Sequence, residues 1–561
     1  MKFISYGTKN TPYEGVIKDY LIKSLNKLDL PYYVEYPNDF GDWQKNTHYK
    51  AEFVKKCLLE LKESVIFVDS DATVLRDPVL FDEIEKGDKD IALHYLDWCY
   101  DKETEILTEN GWKLFKNLNK NEKVATQNIK TKQLEFQLPI KHIQYHYKGL
   151  MHKFKSTQVD LRVTPNHNML VIEDKGRNTK LNNYNDYKIV SAVDLETNNR
   201  FYIPKTVKWN GTYKSHFILN RYNNSYGNNK NLKYNKNAKK IPIKYWIKFI
   251  AWYLSEGSCT KNSVSIGQKA NTKHYNDLKN IMQKIAKYVK SDLKIYKYKG
   301  KVDSFQIHNT QLAKYLMSFS KAKDKFIPDY IKQSTSSLIQ LFLSTYIKGD
   351  GTTSISSKFN KTRQIFTASV KMKNDLEELI MKIGWSSTIC SRISGFGHLV
   401  YVIHLKTTKY STIRKQHKSK IMYDDMVYCV ETKNGIVMVR TKSGNQVWCG
   451  NCKNWRNQDG GDKFEALSGT MYFRYNQKVL DFLDIWIKKN EENAQWEQRN
   501  MQEILEENIV NLDIEKLPYS YCTVVTHGNS IPKHMINPGE VIILHWQKSR
   551  KFKNKRLWNT T

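Results

Sequence analysis

The chain changes character at Cys99 and changes back after Asn451, so any fold it adopts must accommodate a 353-residue segment unlike its flanks. Residues 1–98 and 452–561 together carry 29 Lys+Arg and 32 Asp+Glu. Residues 99–451 carry 61 and 25, a net of +36 in a chain whose total is +33. Such a basic middle points to a polyanion partner, most simply nucleic acid. A genome rich in A and T would write Lys and Asn into the flanks as well, and the flanks are not basic. The 561 residues suggest three or four domains of about 150 residues. Hydrophobic residues at 40% and aromatics at 12% exclude a mostly disordered chain. No apolar run approaches the roughly 18 residues of a membrane span. Met1–Thr8 does not read as a secretory signal, so the expected location is cytoplasmic, or a host cell's interior if the chain is viral. Eight cysteines without a pair of CxxC units imply neither a zinc site nor a disulfide framework.

The flanks read as α/β. Residues 4–7 predict a short strand, 16–28 and 51–61 predict helices, and Ser64–Val68 predicts a buried strand running into Asp69-Ser70-Asp71. After 452, strands are expected over 469–475 and 541–546, with a helix over 479–489. Within the middle, 104–205 is dominated by short strands and turns. Residues 220–237 hold eight Asn and read as a solvated linker. From 241 to about 405 long helices alternate with β-rich stretches, and a β-type tail follows over 426–448. Asn276-Asp277-Leu278 recurs as Asn374-Asp375-Leu376, and Lys284-Ile285 as Lys382-Ile383, both at an offset of 98 residues. This is the mark of a tandem unit.

Cys99 opens the middle segment, Asn451 closes it, and Cys452 follows. A thiol can attack its own preceding carbonyl to give a thioester, a second thiol can take over the acyl group, and an Asn side chain can cyclise and cleave the chain after itself. Cys99-Tyr100-Asp101, Thr104-Glu105-Ile106-Leu107-Thr108 and Gly111-Trp112 resemble the amino end of an intein. Val163-Thr164-Pro165-Asn166-His167 resembles its Thr-x-x-His block. Val427-Tyr428-Cys429-Val430 and Val447-Trp448-Cys449-Gly450-Asn451-Cys452 resemble the two carboxyl-end blocks. The resemblance implies a flattened all-β Hint fold, splicing without any cofactor, and a monomeric excised product. It also implies roles: Cys99 as first nucleophile, Thr164 and His167 polarising and protonating the first scissile peptide, Asn451 cyclising, Cys452 as second nucleophile, and Cys429 near the junction. The sequence departs from the family in carrying Gly450 where a His usually precedes the terminal Asn, and Gly435-Ile436 where an upstream His is usual. Hedgehog-type autoprocessing domains share the fold but lack the terminal Asn and the following nucleophile.

Two further segments share an outline, Phe249–Gly257 and Leu343–Gly351: an apolar helix with small residues, an acid at its foot, then Gly. Two such helices packed together would juxtapose Glu256 and Asp350, oxygen ligands suited to Mg²⁺, and metal there can activate water at a phosphodiester. With the repeat and the charge, they resemble LAGLIDADG (DOD-type) homing endonucleases. That resemblance implies an α+β pseudo-twofold fold, double-stranded DNA as partner (the intein-free allele of the host gene), and a supporting role for Lys325.

Removing 99–451 joins the flanks into 208 residues, one domain. A strand ending in Asp69-x-Asp71 can hold a divalent ion that bridges a diphosphate. Together with Ser468–Phe473, Trp496-Glu497-Gln498 and His545-Trp546, it resembles GT-A glycosyltransferases that use nucleotide-diphospho-sugars. The resemblance implies Asp69, Asp71 and His545 on Mn²⁺ or Mg²⁺, Lys548 or Arg550 facing the diphosphate of the nucleotide-sugar donor, and Glu497 near an acceptor. The expected architecture is therefore multidomain. An α/β GT-A-like host (1–98 and 452–561) is interrupted by an all-β Hint domain (99–208 and 416–451). The Hint domain is interrupted in turn by an Asn-rich linker (209–240) and an α+β endonuclease (241–415). Two alternatives stand beside it: a two-domain protein that does not splice, and a maturase-like nucleic-acid binder built on the same helices.

Overall fold

The computed structural model describes all residues except 96–97, 129, 175, 177–186, 197, 226–232, 298–301, 320–322, 358–359, 396, 442–444, 452–465, 494, 525–540 and 547–561. The chain forms two compact units, Met1–Asp97 with Arg456–Thr561, and Trp98–Trp455. Among the described residues no helix is long and apolar enough to cross a membrane.

The first unit is built on a six-stranded sheet in the order Tyr32–Glu35, Lys2–Tyr6, Val65–Val68, Ala466–Phe473, Ile91–Tyr95, Ile514–Lys516. Val65–Val68 is buried along its whole length because helices cover both faces of the sheet. Val65 and Phe67 pack with Phe53, Val54 and Leu58 of helix Trp43–Leu61, and with Phe482 and Trp486 of helix Gln477–Glu492. Ile66 and Val68 face Ile17, Leu21, Phe81 and Ile84 on the other side. Helix Trp43–Leu61 starts eight residues before the expected position. Asp42 caps it, its side chain accepting from the Lys45 amide at 2.8 Å. It stops at Lys62, whose left-handed backbone (φ +53°) closes the last turn onto the Leu58 carbonyl. The strand Ala466–Phe473 runs antiparallel between Val65–Val68 and Ile91–Tyr95, so residues from both sides of the middle segment share one sheet.

In the second unit, strands Lys141–Lys155 and Lys418–Glu431 form one antiparallel ribbon from Lys141 opposite Glu431 to Phe154 opposite Lys418. Asp160–Val163 and Tyr100–Asp101 close it into a barrel. A second sheet runs Leu134–Gln137, Val124–Gln127, Ile436–Arg440, Glu105–Thr108, Gly111–Leu114, with Val447–Gly450 beside Ile436–Arg440. Strand Tyr410–Arg414 pairs with Arg200–Pro204. It therefore belongs to these sheets and not to the α+β segment, whose last strand ends at Lys406.

Between them lies an α+β body. Helices Ile243–Glu256 and Ser336–Asp350 pack together, and each leads into a four-stranded antiparallel sheet. The sheet orders are Gly257–Cys259, Ser263–Lys269, Val302–His308, Leu293–Tyr296 and Gly351–Ser357, Asn360–Thr367, Leu399–Lys406, Ser386–Ile393. These are the same connection made twice, with the repeated Asn-Asp-Leu on the equivalent helices Tyr275–Val289 and Val370–Lys382.

The expected linker is not uniformly unstructured. Strand His216–Leu219 pairs with Lys239–Pro242, and Tyr222–Ser225 with Lys233–Lys236. Leu219 and Ile241 are buried against the helix core, which anchors an otherwise polar ribbon. Composition registered the Asn and missed these two apolar anchors.

Candidate functional site

Three sites emerge. The first lies where Trp98–Cys99 and Gly450–Asn451 meet. Tyr100 pairs with Val163, so the turn after Val163 delivers Thr164 to Cys99. The Cys99 amide donates to Thr164 Oγ1 at 2.9 Å, and the Thr164 amide donates to the Cys99 carbonyl at 3.0 Å. Thr164 thus addresses the nitrogen of the Trp98–Cys99 peptide. His167 follows one turn later, its amide on the Thr164 carbonyl at 3.0 Å. It is fully buried. Burial pushes its imidazole down to about 3, against the opposing effect of hydrogen bonding to the Trp98 and Gly450 backbone. The ring is therefore neutral at physiological pH. It acts as a polarising donor or a base in the resting state, and gains a proton only as a neighbour loses one. The Tyr100 ring meets it edge-on at 4.2 Å, and the Tyr100 hydroxyl donates to the Gly450 carbonyl.

Asn451 is also fully buried. Its amide nitrogen Nδ2 donates to Thr432 Oγ1 at 2.9 Å, its backbone N–H donates to the Gly435 carbonyl at 3.2 Å, and its carbonyl accepts from Asn168 Nδ2 at 3.0 Å. Cys449 Sγ lies 3.5 Å from His167 Nε2, and burial raises this thiol to about 12. Cys429 sits opposite Ile143 in the ribbon, its thiol on the Val430 carbonyl at 3.6 Å. Cys452 lies outside the described residues. The sequence reading missed Tyr100, Asn168, Thr432 and Cys449 as members of this site. Two signals were present: Asn168 follows the Thr-x-x-His block directly, and Cys449 lies two residues before Asn451.

The second site is at the feet of the paired helices. A Cβ on Gly349 would lie 2.2 Å from Ser255 Oγ and 3.1 Å from Glu256 Cγ, so glycine is what lets the two helix ends approach. Burial raises the carboxyl of Glu256. Asp350 is pushed up to about 7, first by burial and then by Glu256, with Lys325 and Tyr346 opposing. Lys325 is buried and donates to the carbonyls of Tyr253, Leu254 and Gly257 at 3.0–3.1 Å. It caps the carboxyl end of the first helix, where a cation offsets the helix dipole. Its Nζ is thus engaged with backbone, and its charge is felt by both acids. Lys325, Tyr346 and Asp350 line a cavity of about 290 Å³.

In the first unit, single ligand atoms of Asp69, Asp71 and His545 lie within 4.8 Å of one another. Val65–Val68 delivers the acids and Ile543–His545 the imidazole. Gly469 makes room, since a Cβ there would meet Asp69 Oδ2 and His545 Cε1 at 3.1 Å. His545 Nε2 is 2.7 Å from Thr470 Oγ1, and burial lowers the ring to about 4, leaving a neutral imidazole. Glu497 lies within a buried ion-pair cluster. Its Oε1 pairs with buried Lys50 at 3.1 Å, and Lys50 also reaches Asp69 and Ser468. The sequence reading missed Lys50, although a lysine on the same helix face as Asn46, Phe53 and Cys57 is a signal that a buried charge needs partners. Lys548 and Arg550 lie outside the described residues.

No family model matches the chain. It is 28% identical over 302 residues to an ATP-dependent Clp protease proteolytic subunit of Chlamydomonas moewusii, covering 52% of this chain and 28% of that one. The chain therefore spans less than a third of the length of this curated relative. Among solved structures it is similar to the homing endonuclease I-DmoI, solved in complex with DNA and Mn. That similarity is 15% identity and a TM-score of 0.23, over 29% of this chain and 90% of that one. It is also similar to the AceL NrdHF class 3 split intein, at 9% identity and a TM-score of 0.21, over 64% of this chain and all of that one.

A proton on Asp350 competes with a cation. With Asp350 near 7, affinity for Mn²⁺ should fall by about tenfold between pH 8 and pH 6, and Asp350→Asn should flatten that dependence while weakening binding. Titration of the 99–451 segment with Mn²⁺, followed by electron paramagnetic resonance, checks both outcomes.

Proposed function

We propose that residues 99–451 are a protein-splicing element carrying a DNA endonuclease, inserted in a transferase. The observation that supports it most is that Thr164 Oγ1 accepts from the Cys99 amide at 2.9 Å while the fully buried His167 lies 3.5 Å from the thiol of Cys449, two residues before Asn451. Cys99 Sγ attacks the Trp98 carbonyl carbon, the C–N bond breaks as the C–S bond forms, and the proton lost by the thiol passes to the Cys99 nitrogen. In this reading His167 carries that proton, and Thr164, which accepts from the Cys99 amide at 2.9 Å, holds the nitrogen. Cys452 takes over the acyl group, Asn451 cyclises to release the segment, and acyl transfer from sulfur to nitrogen joins the flanks. Expression should give an excised piece of 353 residues and a ligated protein of 208. Cys99→Ala should block the first step and Asn451→Ala the release. Mass analysis showing only intact chain after prolonged incubation with reductant would falsify this reading.

For the endonuclease, the supporting observation is the pair Glu256 and Asp350 at glycine-opened helix ends, where the charge of Glu256 raises the carboxyl of Asp350. A divalent cation fits there because it relieves that repulsion with oxygen ligands. When bound, it supplies Lewis acidity at a phosphodiester. Glu256 and Asp350 would hold it, Lys325 steadies the helix end, and the basic segment would hold DNA. The excised piece should bind duplex DNA with steep salt dependence and cut the intein-free allele with Mg²⁺. Glu256→Gln and Asp350→Asn should abolish cutting and spare binding in a gel-shift assay. Retained cutting by both variants overturns the assignment.

For the flanks, Asp69, Asp71 and neutral His545 are a donor set that suits Mn²⁺ or Mg²⁺. Such an ion neutralises a departing diphosphate. Lys50 fixes Asp69 and Glu497 in place. The directly encoded 208-residue protein should turn over a nucleotide-sugar with Mn²⁺, and Asp69→Ala with Asp71→Ala should abolish it. Turnover that survives the double substitution removes the site assignment.

A further inference from the structure

The segment lacks both histidines that would assist cyclisation of Asn451, having Gly450 and Gly435-Ile436 in their places. The geometry around Asn451 shows what stands there instead. A Cβ on Gly450 would lie 2.1 Å from the Asn168 carbonyl oxygen and 2.6 Å from Asn168 Cβ. A side chain at 450 is therefore excluded by Asn168. The same close approach carries Asn168 Nδ2 to 3.0 Å from the Asn451 carbonyl oxygen. On the other side, Thr432 Oγ1 accepts from Asn451 Nδ2 at 2.9 Å. Thr432 and Asn451 are fully buried.

Resting on the splicing reading above, we propose that Asn168 and Thr432 are the catalytic pair for cleavage after Asn451, with Asn168 as oxyanion donor and Thr432 as the hydroxyl that orients and relieves the attacking amide. Asn451 Nδ2 bonds to its own carbonyl carbon, and the bond from that carbon to the nitrogen of residue 452 breaks. The proton lost by Nδ2 equals the proton gained by the departing amine, so no other reactant is needed. Charge builds on the carbonyl oxygen that already accepts from Asn168. That donor is fixed before the reaction, in a site closed to water, where such a hydrogen bond counts most. Thr432 holds one Nδ2 hydrogen, which fixes the side-chain amide and gives the leaving proton a first acceptor.

The test follows two steps in the same full-length chain. Dithiothreitol cleavage after Trp98 reports thioester formation and folding. Appearance of the succinimide-ended fragment reports cyclisation. In Asn168→Ala the ratio of cyclisation to thiolysis should fall by about 10² to 10³-fold, the loss typical of one oxyanion donor. Thr432→Val should lower the same ratio by about 10²-fold, and Thr432→Ser should restore it. Gly450→His should lower it too, because its Cβ displaces Asn168, whereas a chain that merely lacked a histidine would gain. An unchanged ratio in Asn168→Ala overturns the proposal. Should that variant lose both steps through misfolding, Asn168→Asp, which keeps the size and loses the donor, decides by the same ratio. Thiolysis without any succinimide in the parent chain would sink this pair and leave the first junction standing. Neither reaction in the parent would sink the splicing reading itself.

Discussion

The long ribbon of Lys141–Lys155 on Lys418–Glu431 is the constraint on which the second unit depends. Its two strands are separated in sequence by the whole α+β body, and its register fixes where the chain must re-enter. Tyr100 then joins both Val163 and Tyr428, which closes the barrel directly beside Cys99. The strand Ile436–Arg440 lies next to Glu105–Thr108 and carries Val447–Gly450 on it, which delivers Asn451. Because side chains alternate across a strand, a slip of one residue would send His167's neighbours to the wrong face. The ends of the segment meet because the sheets interleave residues from before and after the inserted body.

Dryness decides the chemistry such a meeting can support. His167 is held neutral and Cys449 protonated by burial. Thr164, Thr432 and Asn451 have no solvent exposure. A resting site without formal charge has little to solvate and so excludes water readily. At the acid pair, partial burial raises both carboxyls, and the charge of Glu256 raises Asp350 further. Burial thus disfavours charge at both sites.

What the sequence made legible was whatever has a period or a fixed spacing. The buried strand before Asp69, the helices ending in Glu256 and Asp350, and the 98-residue repeat were visible because hydrophobic pattern and glycine punctuation are local. Contacts between distant residues were not. Gly450 looked like a missing histidine, whereas in the structure it makes room for Asn168. Lys50 looked like one more helix lysine, yet it joins Asp69 to Glu497 across the sheet. Phe217, Leu219 and Ile241 were hidden in an Asn-rich stretch, where composition outweighed the few apolar residues that fix a ribbon. Strand Tyr410–Arg414 could not be assigned from its own residues, because only its partner, Arg200–Pro204, says which body it belongs to.

The repeat itself is used unequally, and the inequality ties the two halves of the second unit together. In each copy the repeated aspartate binds a lysine: Asp277 holds Lys348 at 2.6 Å, and Asp375 holds Lys332 at 3.4 Å. The second copy has a further task. Asn374 accepts from Arg440 at 3.0 Å, Glu377 pairs with the same guanidinium, and the Glu377 carbonyl accepts from Gln446 at 3.1 Å. Arg440 also holds Glu105 at 2.7 Å, and Met381 packs with Met438 and Trp448. Arg440 ends the strand that carries Val447–Gly450, so a helix of the α+β body supports the sheet edge that presents Asn451. Glu377 has no exposure and depends on Arg440 to stay ionised against burial. Removing one partner of such a pair costs about 3–5 kcal/mol, because a buried charge is left uncompensated. Excising the body without changing Arg440 and Gln446 would leave Gln446 without the Glu377 carbonyl and Arg440 with Glu105 as its remaining carboxylate, beside the strand that presents Asn451. The inserted body is therefore part of the support of the site it interrupts.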